Sequence, residues 1–180
     1  MHSQHRSRRQ RGVTLIEATL ASTIAALVLG TAAPSFKQMS ARRQVEGPAV
    51  ELASDLLFAR SEAIARNESV RVSFQQPAAG ACSVLHTGDA GDCVCSGTGA
   101  ALCSNGAREI KTVLLPAGRL VTLQSNVGSM LFHPVRGTTT PAGTVKVLGP
   151  RGYAVQHVVN LMGRVRSCAP GAALPGYKPC

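Results

Sequence analysis

The residues with the clearest chemistry are two arginines, Arg164 and Arg166, separated by Val165 and preceded by Gly163. In an extended strand, positions i and i+2 point to one face, so the two guanidiniums stand side by side with Cβ atoms about 6.5–7 Å apart. That spacing is comparable with adjacent phosphates on one DNA strand, and a planar guanidinium fork binds two phosphate oxygens at once. Gly163 removes a side chain and lets the backbone turn or approach a ligand closely. The surrounding charge points the same way. Residues 110–180 hold eight basic side chains (Lys111, Arg119, Arg136, Lys146, Arg151, Arg164, Arg166 and Lys178) and no acid, against seven basic and eight acidic side chains in residues 34–109. An anionic partner is therefore to be sought in the last third of the chain.

The other reactive residue types point to structure. Cys82, Cys93, Cys95 and Cys103 are spaced C-x10-C-x-C-x7-C, unlike the paired C-x2-C knuckles of zinc sites, and disulfides are the better reading. Cys93 and Cys95 are too close to pair with each other, so each is expected to reach another cysteine, and the pairing stays open. Cys168 and Cys180 close a short C-terminal loop, worth about 3 kcal/mol in the chain-entropy model, which would hold the tail and Lys178 beside the arginines. Of the five histidines, His133 and His157 are expected on strand faces. No H-E-x-x-H, G-x-S-x-G or phosphate-cradling glycine loop occurs, so no enzyme, metal or cofactor is expected. Aromatic platforms for single-stranded bases and a recognition helix are both missing. Contacts would thus be to the backbone of double-stranded DNA, weakly sequence-dependent and strongly salt-dependent.

The elements that must carry these residues begin with a 21-residue run, Val13 to Ala33, whose one charge is Glu17. As a helix it spans about 31 Å, close to the hydrocarbon thickness of a bilayer. A basic leader with Arg6, Arg8, Arg9 and Arg11 precedes it, and a cut at Gly12–Val13 would leave the helix on the mature chain. Glu17 is costly in a membrane and needs a partner. From about Ser35 to Asn67, Val45, Ala49, Leu52, Leu56, Ala59 and Ala63 trace one helical face, widened by Leu57 and Ile64 and interrupted at Gly47-Pro48. Beyond Asn67 the chain reads as short strands: Val70–Phe74, Ser83–His86, Ile110–Leu115, Arg119–Gln124, Ser129–His133, Thr144–Leu148, Tyr153–Val159 and one around Gly163–Ser167. Residues 87–106, rich in Gly, Ser and Cys, read as a loop.

Gly12-Val13-Thr14-Leu15-Ile16-Glu17 resembles the processing site of type IV pilins and type II secretion pseudopilins, with Val13 in place of the family's usual Phe. Phe132, Pro134, Gly137, Gly143-Thr144 and Gly163-Arg164-Val165 are similar to the GspH-type domain of minor pilins. The resemblance implies an α+β, pilin-like fold: a long N-terminal helix, half in the membrane and half amphipathic, packed on an antiparallel GspH-like β domain. The expected divisions are a cleaved leader (1–12), a membrane and assembly helix (13–33), an amphipathic half (34–68) and the β domain (69–180). It also implies cutting after Gly12 by a prepilin peptidase, methylation of the new N-terminus, and Glu17 engaging a neighbour's amine during filament assembly. The expected partners are then other major and minor pilins and the inner membrane. The globular part would stand in the periplasm, as the cysteines suggest, and later in an extracellular pilus. Gly163, Arg164 and Arg166 further resemble the Gly-Arg-x-Arg motif of the DNA-binding FimT-like minor pilins. In that resemblance the motif and nearby basic residues form the surface that captures DNA for natural transformation; the helper residues do not carry over, and the charge of the last third offers Arg136, Lys146, Arg151 and Lys178 for that place. The alternative is a structural minor pilin or secretion pseudopilin that primes assembly without binding DNA.

Overall fold

Helix α1 runs from Leu15 to Arg66 in the computed structural model, which describes residues 12, 14–171 and 174–180. Val13, expected after the cut, and the arginines of the leader lie outside the described residues. The chain forms two units, one ending at Met39 and the other Ser40–Cys180. In the first, the helix starts at Thr14, whose Oγ1 accepts the Glu17 N–H at 3.4 Å. Thr14 is thus the cap, with Glu17 three residues on, where a carboxylate suits the positive end of the helix. Leu15, Ile16, Leu20, Ile24 and Leu29 are all exposed, and the segment is long and apolar enough to cross a membrane.

In the second unit the apolar stripe is what the periodicity predicts. Val45, Ala49, Leu52, Leu56, Ala59 and Ala63 are buried in one core with strands from two sheets. Leu57 and Ile64 do not widen it; they are 52% and 47% exposed. Gly47-Pro48 does not interrupt the helix either. Pro48 removes one helical hydrogen bond, but burial of Val45, Ala49 and Leu52 on both sides of it holds the segment helical. The helix ends at Asn67, with φ +50°. Glu68 N–H donates to the Ala63 carbonyl and Asn67 N–H to that of Ile64, closing a Schellman-type cap.

Two antiparallel sheets complete the core. In the first, β1 (Val70–Gln75) and β2 (Gly80–His86) are flanked by β5 (Glu109–Pro116), β7 (Ser129–Phe132) and β8 (Thr139–Thr140), in the order β5-β2-β1-β7-β8. The second contains β6 (Thr122–Ser125), β9 (Gly143–Leu148), β10 (Ala154–Val159) and β11 (Val165–Cys168), in the order β11-β10-β9-β6. The expected strand from Arg119 is shorter, and Arg119 lies in the turn before it. Residues 87–106 are not merely a loop. They contain the hairpin β3 (Cys93–Cys95) and β4 (Ala101–Cys103), with Cys93 directly opposite Cys103. Disulfides join Cys93 to Cys103, Cys82 to Cys95 and Cys168 to Cys180. Gln75 fastens the hairpin to β1, its amide donating to the Cys93 carbonyl and its oxygen accepting the Cys95 N–H, both at 2.8 Å.

Candidate nucleic-acid interface

Strand β11 is the edge of the second sheet, and its register decides which way the arginines point. Val165 lies opposite Val159 and packs against the core, which turns Arg164 and Arg166 outward, where both are exposed. Arg166 stands opposite Val158, and Val158 opposite Thr144; in the next row Cys168, Gln156, Lys146 and Gln124 are successive partners. Lys146 therefore shares the outer face with Arg166, two strands away and about 12 Å off by sheet geometry. The alternation in β9 and β10 carries the signal for this face: Val145 and Val147 are buried while Thr144 and Lys146 between them are not. Gln124 and Gln156, which add neutral hydrogen-bonding groups there, were not singled out from sequence because neither carries charge.

Gly163 serves the turn, one of the two roles its missing side chain allows. It ends the β10–β11 turn, where its N–H donates to the Asn160 carbonyl at 2.8 Å and the Arg164 N–H donates to Asn160 Oδ1 at 2.9 Å. Its φ is +70° and it is buried. A Cβ there would lie 2.1 Å from the Gly137 carbonyl oxygen and 3.2 Å from Arg60 Nε. The glycine is thus occupied by the protein's own backbone and positions Arg164; it offers no surface to a ligand. Asn160 and Arg60, which fix the turn, are legible only once the fold brings them there.

Charge is segregated between the sheets. The acids lie on α1, at Glu68 just after it and in residues 89–109; Arg66 pairs with Glu62, Arg108 with Glu68 at 2.7 Å, and Arg71 approaches Asp89 at 3.8 Å. Lys111 is one of the eight bases of the acid-free third, yet it does not belong to a free cationic surface: its Nζ lies 2.7 Å from Asp55 and 3.1 Å from Glu51. Burial raises the Asp55 pKa and Lys111 opposes the rise. No Asp or Glu occurs in β6, β9, β10 or β11. Among the described residues Arg164, Arg166 and Lys146 form no ion pair.

The remaining bases separate into two groups. Arg136 is exposed beside Gly137, at the Gly163 end of the unit, where the helix contributes Arg60. Arg151 is exposed in the β9–β10 turn, at the Val45 end: a Cβ on neighbouring Gly149 would meet the Val45 side chain, and Arg42 Nε donates to Tyr153 Oη at 3.2 Å. Fifteen helical residues, about 22 Å, separate Val45 from Arg60. Lys178 is exposed in the tail, its carbonyl accepting the Ala169 N–H at 2.9 Å. The tail reaches back to the Arg151 turn, where Gly171 packs on Gly152.

The described histidines make contacts within the fold. His157 is fully buried, Nδ1 2.8 Å from Ser167 Oγ, and burial lowers its pKa to about 4. His86 is buried between Ser73 and Thr87, and burial lowers its pKa too. His133 follows β7 and meets Thr140. No group of three metal-ligating side chains occurs among the described residues.

The comparison that decides the family is a match of residues 49–163 to the family described as Type II transport protein GspH. The chain belongs to the GspH family. Its fold is similar to the type IV minor pilin FimU of Pseudomonas aeruginosa, with TM-score 0.50 and 16% identity over 71% of this chain and 90% of that one. It is similar also to the minor pseudopilin EpsH of the Vibrio cholerae type 2 secretion system, with TM-score 0.50 and 14% identity over 71% and 98%. At such identities the likeness is one of fold. No curated protein matches in sequence. The GspH match ends at Gly163, so Arg164, Arg166 and the disulfide-closed tail lie just beyond it.

Proposed function

We propose that this GspH-family protein is a minor type IV pilin whose second sheet binds extracellular double-stranded DNA for uptake in natural transformation. The observation that carries the reading is the acid-free outer face of β6, β9, β10 and β11, on which Arg164, Arg166 and Lys146 stand exposed or half-exposed and without acidic partners. Arg136 extends it at the turn end. Their planar and point charges suit phosphate oxygens, while Gln124 and Gln156 supply donors without sequence selection. One copy would bind in the non-specific range, about 10⁻⁴–10⁻⁶ M at physiological salt, so capture relies on several copies or on retraction. Arg151 lies toward the other end and is left out of this face, while Lys178 stands in the tail beside Ala169, at the edge of the sheet.

The same reading has a prepilin peptidase cut after Gly12 and the apolar part of α1 hold the protein in the inner membrane, the globular unit in the periplasm, before it joins other pilins in the filament. Glu17 would then meet the amine of a neighbouring chain, on the helix turn that Thr14 caps. The test is a gel-shift titration of the oxidised Ser40–Cys180 unit with random-sequence duplex DNA. Arg164→Gln/Arg166→Gln should weaken binding and make the log–log salt slope shallower by about 2. Equal binding by both forms would place the DNA-binding patch elsewhere, and no binding even at low salt would leave a structural minor pilin or secretion pseudopilin.

A further inference from the structure

A second basic cluster occupies the Val45 end of the Ser40–Cys180 unit, made of residues that the DNA face does not use. Arg43 and Arg119 line an open cleft of about 470 Å³ together with Gln44, Pro48, Leu120 and Val121. Arg42 lies over the Tyr153 ring, 5.6 Å from its centroid, which ties the adjoining Arg151 turn to the same end of the helix. Arg43, Arg119 and Arg151 are exposed and, among the described residues, unpaired. The acid at this end is Glu46, which faces Tyr177 of the tail. Leu120, between the cationic groups, is 71% exposed. A basic surface with an exposed aliphatic residue suits a membrane interface better than an aqueous one.

Chain connection limits how far this cluster can stand from a bilayer. The apolar run ends at Ala33 and Arg43 follows ten residues later, so the chain itself keeps the two within about 33–36 Å, however the two units are arranged. Charge at the headgroups is felt over about 8 Å at physiological salt, and the tether keeps the cluster at high local concentration beside them. We propose that the Val45 end of the unit docks on anionic phospholipid headgroups of the membrane that holds its own helix, through Arg43, Arg119 and Arg151, with Leu120 entering the headgroup boundary. The proposal rests on the apolar segment being a membrane anchor and is independent of DNA binding.

The test uses the full chain in nanodiscs of phosphatidylcholine alone or with phosphatidylglycerol, reading amide hydrogen exchange in residues 117–121 and 149–153. Exchange there should slow on the anionic discs and recover at high salt. Each cation removed should shift the docked-to-free ratio by roughly 5-fold. Arg43→Gln/Arg119→Gln/Arg151→Gln should abolish the protection, and Arg151→Gln alone should reduce it with little risk to folding. Arg164→Gln/Arg166→Gln should leave it unchanged. Equal exchange on the two lipid compositions would overturn the proposal, as would full protection persisting in the triple variant. So would inorganic phosphate reproducing the effect without anionic lipid, since the cluster would then be a free-anion site.

Discussion

Replacing Gly163 by alanine separates a glycine that contacts a ligand from one that the fold itself requires. The left-handed conformation at φ +70° costs a residue with a side chain about 1–2 kcal/mol. The new methyl would also sit 2.1 Å from the Gly137 carbonyl oxygen. That carbonyl cannot swing aside cheaply, because Gly137 is held by its own N–H on the His133 carbonyl at 2.9 Å and by φ +61°. Forced overpacking adds about 1–3 kcal/mol, giving a total near 3–4 kcal/mol. For a unit of this size that is a fall of roughly 10 °C in Tm. The assay is thermal unfolding of the oxidised Ser40–Cys180 unit followed by circular dichroism. Gly137→Ala is the control: its Cβ meets side-chain atoms of Arg60 and Ile64, which can rotate, so it should cost less. Arg164→Gln/Arg166→Gln, both on the surface, should change stability by less than about 0.5 kcal/mol. A Gly163→Ala unit that melts with wild type and yet loses DNA would refute the packing argument and return the glycine to the binding surface.

Lys111→Met should destabilise by about 3 kcal/mol at neutral pH, because Asp55, 4% exposed, loses the cation that offsets its burial. Burial already raises the Asp55 pKa, so the folded state takes up a proton more readily than the unfolded chain; the deficit should shrink as pH falls toward 4, read by denaturant titrations. His157 acts with the opposite sign: its pKa is lowered to about 4, so stability should be lost as pH drops from 6.5, by up to about 3 kcal/mol at pH 4. His86 adds in the same sense, and His157→Leu should flatten most of the slope. Cys93→Ser/Cys103→Ser should release the β3–β4 hairpin, seen as faster amide exchange in residues 93–103, while DNA affinity stays unchanged because the hairpin shares no strand with the outer face.

The helix stripe was legible because each of its six positions follows from the 3.6-residue period, and all six are buried. Leu57 and Ile64 show the limit of that signal. Hydrophobicity alone placed them on the stripe, but their angular position leaves them outside the core. The outward direction of Arg164 and Arg166 was equally readable, since a single apolar residue between two cations fixes a strand's faces. The β3–β4 hairpin was not. It lacks a long apolar alternation, its strands are three residues each, and it is tied to the sheet through Cys95, whose partner Cys82 lies on β2, which no local pattern contains. Gly163 was visible as a glycine, but the reason for it is the carbonyl of Gly137, twenty-six positions earlier.

Charge is where local reading and folded geometry diverge most usefully. Along the chain, residues 110–180 form one uninterrupted cationic block. Folding divides it. Lys111 reaches back to acids 56 and 60 residues away on the helix and is neutralised there. Arg164, Arg166 and Arg136 gather on or beside the outer face of one sheet toward the Arg60 end of the helix, Lys146 stands mid-strand on the same face, and Arg119 and Arg151 turn to the Val45 end beside Arg43. Surface cations separated by more than about 10 Å in physiological salt act largely independently, so groups some 20 Å apart need not share a partner. Cations held on headgroups are unavailable to a polyanion, so the two uses call for two groups. Moving charge between the groups distinguishes the two uses. Adding Gln156→Lys to the face should raise DNA affinity and steepen its salt slope by about 1, without changing exchange at residues 117–121 on anionic membranes. A rise in both would mean that the chain has one diffuse cationic surface and that the division drawn from the fold is wrong.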